Sequence, residues 1–457
     1  MILSIAHVTT PEMPIWALTP FVLMLLAIAV CPLFLEHWWE KNRNKFIVAM
    51  ILGIPTATYL IATGLSHDLI HQLLFDYIPF IVLLGALFVI TGGIHLKGDI
   101  EAKPWINTVF LAIGAVLASI MGTTGAAMLL IRPVIRTNSQ RKHKVHTILF
   151  FIAVVANCGG LLTPLGDPPL FLLYLRGVEF TWFLHMLPQW AVANGLLLLI
   201  YFIVDTYYYK KEPVENLALD KEQKERISLH GNINFLWLFG VILSVAFLNK
   251  QYFPTWEYNI ESGEGNSALG FIREGALLLM VLLSLVFTKK SLREANKFTW
   301  TPIIEVAFLF LGIFITMLPA MLYLKSNAAS FGLSEPWHFY YTAGALSSFL
   351  DNAPTAISFY ELSKGMMLIN DGTAMFAGIP TDVGALVAGI PSMILIAISI
   401  GAVFFGSMTY IGNGPNFMIK AIAEENKINM PSFFGYIIKF SLIVLLPVYI
   451  IVQLIFI

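Results

Sequence analysis

Two short segments of this chain repeat each other, and each interrupts a long apolar stretch. Residues 163–169 read Thr-Pro-Leu-Gly-Asp-Pro-Pro, and residues 409–415 read Thr-Tyr-Ile-Gly-Asn-Gly-Pro. Glycine and proline break a helix and free backbone carbonyls and amides, which are costly in hydrocarbon unless protein, water or a ligand satisfies them. A paired break in the two halves of a membrane chain is typical of the binding site of a secondary transporter. The repeat therefore predicts a membrane chain of this class.

Composition supports the membrane class independently. The 457 residues are 58% hydrophobic and only 12% charged, with a mean hydropathy of +0.77. An average soluble domain has a smaller apolar fraction and about twice this charged fraction. Apolar runs long enough to span a bilayer include residues 15–35, 182–204 and 433–457. Cys31 and Cys158 both stand in apolar segments, so a disulfide framework is not expected.

The loop charges predict the orientation of the chain. Lysine and arginine cluster in four loops, at 41–45, 136–144, 210–226 and 289–297, and the positive-inside rule places these loops in the cytoplasm. The resulting thread has ten crossings with both termini outside, as expected for a multi-pass protein of a bacterial inner membrane. Because the basic residues do not form one polar face, nucleic-acid binding is not expected. The crossings are predicted near 15–37, 46–64, 78–96, 147–175, 181–204, 233–249, 273–288, 301–324, 384–419 and 432–457.

Two further segments are predicted to enter and leave the membrane on the same side. Residues 104–135 are too few for two full crossings at roughly 20 residues each, so a re-entrant helical hairpin fits better. A second hairpin is predicted within residues 338–382. Each hairpin precedes a helix broken by one of the repeated segments, at 147–175 and 384–419. The predicted fold class is an all-α polytopic membrane protein with about ten transmembrane helices and two re-entrant hairpins.

An internal repeat extends beyond the two breaks. Residues 118–127 align with 347–356, and residues 84–88 align more loosely with 311–315, in the same chain order as the breaks. In the predicted topology the two copies have opposite orientations, as in inverted-repeat transporters. The predicted organisation is N-terminal scaffold helices at 1–75, a first repeat at 76–204, a cytoplasmic linker with scaffold helices at 205–300, and a second repeat at 301–457.

Asp167 and Asp351 are the acidic residues within the repeated motifs. An ionisable residue at membrane depth is a functional-site hypothesis, and a carboxylate there can exchange a proton for a metal ion. The alternatives are that Asp167 caps the half-helix after the break and that Asp351 lies in a solvent-facing hairpin turn. Several side chains near these motifs offer neutral oxygens that suit an alkali cation. The alternative is that each one only forms a hydrogen bond with its own helix backbone. These residues are Thr123, Thr124, Thr163, Asn352, Thr355, Thr409 and Asn413.

Arg132 follows the first predicted hairpin turn and is the ambiguous cation, since it could contact an anionic substrate. The chain has no Walker-type phosphate loop, which argues against ATP-driven transport. Gly-x-Ser-x-Gly and His-Glu-x-x-His motifs are also absent from the sequence. No enzyme activity and no cofactor are therefore expected; Na⁺ and H⁺ are the expected transported or coupling ions.

The block at 156–169 (Ala-Asn-Cys-Gly-Gly-Leu-Leu-Thr-Pro-Leu-Gly-Asp-Pro-Pro) and the Asp-Asn-Ala-Pro sequence within 348–354 resemble motifs of the ion transporter superfamily. That group includes NhaD-type Na⁺/H⁺ antiporters, citrate-transporter-like proteins, dicarboxylate symporters and arsenite permeases. The resemblance implies two cation sites, each formed by a hairpin tip and a broken helix, with substrate between them. The first site would use Thr123, Thr124, Gly166 and Asp167, and the second Asp351, Asn352, Thr355, Gly412 and Asn413.

Two departures from the family motifs leave the subfamily open. Gly122-Thr123-Thr124 stands where many symporters have Ser-Asn-Thr, whereas Pro168-Pro169 resembles the permease and citrate branches. The first hypothesis is Na⁺(Li⁺)/H⁺ antiport by alternating access. The alternative is cation-coupled transport of citrate or a dicarboxylate, with arsenite export weaker. The expected partners are the lipid bilayer and a small ion or carboxylate, and a homodimer remains open.

Overall fold

The computed structural model describes residues 13–249, 251–253, 269–369 and 386–457. Helices dominate, and eight of the described ones are long and apolar enough to cross a membrane. Two shorter apolar helices, Ile233–Phe247 and Ser392–Met408, accompany them. The predicted all-α polytopic membrane class is confirmed.

The α-helices are α1 (Thr19–Phe34), α2 (Glu36–Trp39), α3 (Asn42–Ala62), α4 (Ser66–Gln72), α5 (Ile78–Thr91), α6 (Pro104–Met121), α7 (Thr123–Thr137), α8 (Val145–Val154), α9 (Pro168–Leu175), α10 (Leu187–Tyr209), α11 (Val214–Glu222), α12 (Ile233–Phe247), α13 (Ile272–Phe287), α14 (Lys290–Ala295), α15 (Thr301–Ser326), α16 (Pro336–Phe349), α17 (Asn352–Ile369), α18 (Ser392–Phe405), α19 (Gly414–Glu425), α20 (Phe433–Tyr436) and α21 (Leu446–Phe456). Short 3₁₀ turns cover Ile15–Leu18, Cys158–Leu162, Phe180–Met186, Leu269–Phe271, Ala328–Phe331 and Gly406–Met408, and π-helical turns cover Leu73–Tyr77 and Ile437–Leu445.

Two small antiparallel strand pairs complete the described elements. Strand β1 (His95–Asp99) pairs with β2 (Glu225–His230), and β3 (Leu386–Val387) pairs with β4 (Ile390–Pro391). The first pair joins loops that both lie on the predicted cytoplasmic side. Sequence analysis did not predict these strands, because β1 and β2 are far apart in the chain and largely polar, whereas β3 and β4 are only two residues long each.

The first predicted hairpin is formed by α6 and α7. Gly122 separates the two helices with a φ of 82°, a conformation that glycine adopts without the steric cost of a Cβ. The hairpin ends at Thr137, two residues beyond the predicted 104–135. The second hairpin is formed by α16 and α17, and the remainder of the predicted 338–382, after residue 369, lies outside the described residues.

Both predicted broken helices are present. The first comprises α8, a 3₁₀ turn and α9; the second comprises α18, a 3₁₀ turn and α19. A Cβ on Gly166 would lie 1.9 Å from the Gly160 carbonyl oxygen, and a Cβ on Gly412 would lie 2.6 Å from the Gly406 oxygen. Glycine is therefore required where each break folds back on itself. Gly166 and Gly412 occupy equivalent positions in the two copies of the repeated segment.

The helices pack in two groups. The scaffold group contains α1, α3, α5, α12, α13 and α15, with α15 packed along α3 and α5 packed against α13. The hairpin group contains the two hairpins, the two broken helices, α10 and α21, with α16 packed along α18 and α10 packed on α6 and α8. The groups meet mainly where α17 contacts α15 and where α7 contacts α5. This arrangement places the helix breaks inside the hairpin group.

Candidate functional site

The tip of the first hairpin is bonded to the first helix break. The Thr163 hydroxyl donates to the Ser119 carbonyl at 2.5 Å and accepts from the Leu165 amide at 3.1 Å. The Thr123 amide donates to the Gly166 carbonyl at 2.7 Å. These bonds satisfy backbone groups that the break has freed, as a membrane interior requires.

The second half repeats this arrangement. The Thr409 hydroxyl donates to the Ser348 carbonyl and accepts from the amides of Ile411 at 3.2 Å and Gly412 at 3.1 Å. Ser348 occupies the position that corresponds to Ser119 in the repeat. The two motif threonines, Thr163 and Thr409, thus use their oxygens to hold hairpin and break together.

The Asp167 carboxylate accepts hydrogen bonds from residues in both halves of the molecule. Thr123 Oγ1 donates to Oδ1 at 2.8 Å, Asn413 Nδ2 donates to Oδ1 at 3.1 Å, and Asn352 Nδ2 donates to Oδ2 at 2.6 Å. We call Thr123, Asp167, Asn352 and Asn413 the Asp167 cluster. All four are at most 3% exposed. The family resemblance implied two separate sites for these residues, whereas the structure brings them together around one carboxylate.

Four helices begin at the Asp167 cluster. Thr123 is the first residue of α7 and Asn352 the first residue of α17, while Asp167 and Asn413 directly precede α9 and α19. A helix N-terminus carries a partial positive charge and free amide groups. The convergence of four such ends favours an anion here, whether the Asp167 carboxylate itself or a bound anionic group.

Two buried asparagines that sequence analysis did not single out as site residues complete the junction. Asn157 donates to Asn416 Oδ1 at 2.8 Å and accepts from Asn413 Nδ2 at 3.1 Å. Asn416 Nδ2 donates to the Gly406 and Thr409 carbonyls at 2.8 and 2.9 Å. Asn157 stands within the family motif, so its position in the sequence could have indicated a role at the site. No comparable sequence feature marks Asn416. Its acceptor Gly406 corresponds to Gly160 in the repeat.

One polar atom of the Asp167 cluster has no partner. Asn352 Oδ1 is buried without a hydrogen bond in the structure. Leaving a buried acceptor unsatisfied costs about 1–3 kcal/mol. This oxygen is therefore a ready ligand for a cation, a proton donor or a water molecule.

Asp351 and Thr355 lie at the start of α17. Asp351 Oδ1 accepts from the Ala353 amide at 3.0 Å, and the Thr355 hydroxyl donates to the Asp351 carbonyl at 2.9 Å. Asp351 is half-buried. Within the described part of the chain its carboxylate makes no hydrogen bond to the Asp167 cluster. Both contacts are local to the helix start.

A cavity of about 70 Å³ opens beside the first hairpin tip, between α5 and the start of α15. Its wall includes Thr123, Thr124, Gly166, Leu87 and Ile303. One water molecule requires about 10–15 Å³ of the space open to water-sized spheres, so the cavity can hold a few waters or a small ion. Thr124, a predicted site residue, lines this cavity.

Arg132 is not part of the Asp167 cluster. It is half-buried, and Glu425, at the end of α19, is the carboxylate whose charge acts on it. Glu425 itself pairs with Lys297 at 2.6 Å. Among the described residues no hydrogen bond joins Arg132 to the Asp167 cluster, and no group of three or more histidine, cysteine, aspartate or glutamate residues is placed to hold a metal ion.

Two hairpin tips packed on two broken helices around a buried carboxylate define a polytopic membrane transporter of the secondary class. The chain belongs to the family described as "Putative citrate transport", whose model matches residues 10–457, and this confirms the predicted resemblance to the citrate-transporter-like group. It is also similar to the inner membrane protein YbiR of Escherichia coli (strain K12). The two are 25% identical over 290 residues, which cover 61% of this chain and 69% of that protein.

Proposed function

We propose that this protein is an ion-coupled secondary transporter of a bacterial inner membrane, and that Asp167 binds the coupling cation or proton. The observation that carries the proposal is the convergence of three donors, from both hairpin tips and the second break, on one buried carboxylate. A ligand at Asp167 therefore contacts residues of both repeats at once. Similarity to an inner membrane protein supports the location.

The hydrogen bonds suggest how a cation would be exchanged. An ionised carboxylate only accepts hydrogen bonds, so in the present arrangement two amide NH₂ groups and a hydroxyl balance its charge. A cation at Asp167 needs oxygens instead. Rotation of the Asn352 amide would turn its unpartnered Oδ1 toward the ion, beside Thr123 Oγ1 and the carboxylate. A proton and a cation then compete for one group.

Our first candidate activity is Na⁺(Li⁺)/H⁺ antiport. The Asp167 cluster offers a carboxylate and neutral oxygens, the hard ligands that alkali cations prefer, and Arg132 lies elsewhere. The cation position expected at Asp351, Thr355 and Gly412 is retained as part of this proposal.

A second candidate is cation-coupled transport of citrate or a related carboxylate. The family description favours it. The four helix N-termini at the Asp167 cluster also offer anion-binding amides without an arginine.

The test is cation-driven dissipation of a pH gradient in proteoliposomes, with Na⁺, Li⁺ and K⁺ added in turn. Antiport predicts a response to Na⁺ or Li⁺ that Asp167→Asn reduces to background. Asp68→Asn on α4 is the matched control, because it makes the same chemical change at an exposed carboxyl outside both proposed cation positions, and we expect it to retain the response.

If no cation dissipates the gradient, uptake of labelled citrate driven by a cation gradient is measured in the same vesicles. Uptake lost in Asp167→Asn would support the second candidate and reject the first. Correctly inserted protein with neither activity would contradict both.

A further inference from the structure

A mostly buried ion network, with side-chain exposures of 7–19%, joins the scaffold group to the hairpin group at one end of the molecule. Arg176, directly after α9, places its Nη1 2.8 and 2.7 Å from the two carboxylate oxygens of Asp76. Asp76 lies on the π-helical turn that leads into α5. The Arg176 Nε also lies 3.1 Å from Glu361 Oε1 on α17. The guanidinium is thus held by one carboxylate from each group.

Close packing surrounds this network. A Cβ on Gly365 of α17 would lie 2.2 Å from the Lys325 carbonyl oxygen of α15, so the two backbones touch. The Tyr174 hydroxyl of α9 donates to the Val245 carbonyl of α12 at 2.7 Å. At this end the scaffold group and the hairpin group are in direct contact, and the ion network lies at the interface between them.

The opposite end of the interface between the two groups is open. The cavity of about 70 Å³ separates the tip of α7 from α5 and from Ile303 on α15. Met321, whose sulfur lies 4.0 Å from Arg176 Nη2, is on the same helix. Met321 follows Ile303 by 18 positions, which correspond to about 27 Å of helix. The closed and open ends therefore lie at opposite ends of α15.

The charges are arranged so that separation of the groups breaks only one pair. Arg176 and Glu361 both belong to the hairpin group and would move together. Asp76 would remain on the scaffold and regain water. A mostly buried arginine without any carboxylate partner would be unfavourable, and Glu361 prevents this. The network is thus suited to open and close repeatedly.

We propose that the Asp76–Arg176 ion pair is a latch that closes one side of the transport pathway while the cavity side is accessible. By the loop charges, the latch side is the predicted outer side. In the conformation that opens this side, the pair is broken and the gap beside the first hairpin tip is closed. The latch biases the equilibrium between the two conformations.

The test uses two cysteine reporters on α15 and requires no knowledge of the substrate. In a Cys31→Ala, Cys158→Ser background, Met321→Cys reports the latch end and Ile303→Cys reports the cavity end. The purified protein is reconstituted in lipid nanodiscs, where both sides are accessible to a polar maleimide. With the latch intact we expect slow labelling at 321 and faster labelling at 303.

Asp76→Asn should reverse this pattern. If the latch holds the open form to a population of at most about 10%, its loss should accelerate labelling at 321 at least about fivefold and slow it at 303. The matched control is Lys45→Gln, which breaks the 2.6 Å ion pair of Lys45 with Glu305 inside the scaffold group. We expect that variant to leave both rates unchanged.

Unchanged labelling at both reporters in folded Asp76→Asn protein would overturn the latch and leave a static structural ion pair. If Asp76→Asn does not yield monodisperse protein, Arg176→Lys decides. A lysine keeps the charge but cannot contact Asp76 and Glu361 through two nitrogens, as the guanidinium does through Nη1 and Nε, and this variant must shift both rates in the same directions. Because labelling is independent of the transported solute, failure of the latch and failure of the proposed function are separable.

Discussion

At the scale of single residues, the two copies of the repeated motif differ in one informative way. Asp167 in the first copy corresponds to Asn413 in the second, and the two side chains are hydrogen-bonded at 3.1 Å. Two ionised carboxylates at this distance would repel each other strongly. Asparagine has the same shape but donates a hydrogen bond. The substitution therefore turns a two-fold repeat into a site with one shared charge.

A second carboxyl, far from the Asp167 cluster, gives a residue-scale prediction about pH. Burial, followed by the charge of Asp220, raises the pKa of Asp99 on β1 from 3.8 to about 6. The folded protein therefore holds this proton more tightly than the unfolded chain. The resulting stabilisation is fully present below the unfolded pKa and is lost as the pH rises through about 6.

Asp99→Asn, a neutral side chain at every pH, should lessen the fall in melting temperature between pH 4.5 and pH 7.5. The gain at pH 7.5 should be at most about 1 kcal/mol, because solvent screens a half-buried carboxyl. Thermal melts of the solubilised protein measure it. Asp68→Asn on α4, where the carboxyl is exposed, is the control. Equal pH dependence in wild type and Asp99→Asn would contradict the assignment.

At the scale of elements, each hairpin and its broken helix stabilise each other. The hairpin tip supplies the carbonyl that the break threonine needs, and the first break supplies the carbonyl that the Thr123 amide needs. Neither element satisfies its backbone groups alone, as a membrane interior demands. The repeated Thr-x-(Leu/Ile)-Gly pattern supplies the threonine and glycine that these contacts between hairpin and break require.

Gly166→Ala tests the fit of the first break. The added Cβ would lie 1.9 Å from the Gly160 carbonyl oxygen, so backbone must move. Overpacking of this kind costs about 1–3 kcal/mol, and we expect a lower melting temperature and a loss of transport. Gly195→Ala in α10, whose Cβ would meet nothing within 4 Å, is the matched control and should be neutral or stabilising. Equal effects of both variants would argue against tight closure of the break.

At the scale of the whole molecule, the Asp167 cluster ties the two halves of the chain together. Asn352 and Asp167 are 185 residues apart in sequence, and Asn157 and Asn416 are 259 apart. A ligand that binds here stabilises contacts between both repeats. Its binding free energy should therefore appear in the stability of the entire fold.

We expect Na⁺ or Li⁺ to raise the melting temperature of the solubilised protein in a concentration-dependent way. The stabilisation follows RT ln(1 + [L]/Kd), about 2.7 kcal/mol at 100 times Kd. Choline chloride at equal ionic strength controls for salt, and Asp167→Asn should reduce the shift. A shift of the wild-type size in Asp167→Asn would place the cation elsewhere.

The sequence by itself determined the membrane class, both hairpins, both breaks and the duplication, because apolar length and helix-breaking residues act locally. It also supplied Thr123, Asp167, Asn352 and Asn413 as candidates from their motifs.

The tertiary structure decided which of those candidates meet. It joined residues from both predicted sites at one carboxylate, added Asn157 and Asn416, and left Arg132 near Glu425. It alone brought Asp76, Arg176 and Glu361 together. Such contacts depend on how distant helices pack, and a hydrogen-bond partner hundreds of residues away leaves no local pattern in the chain.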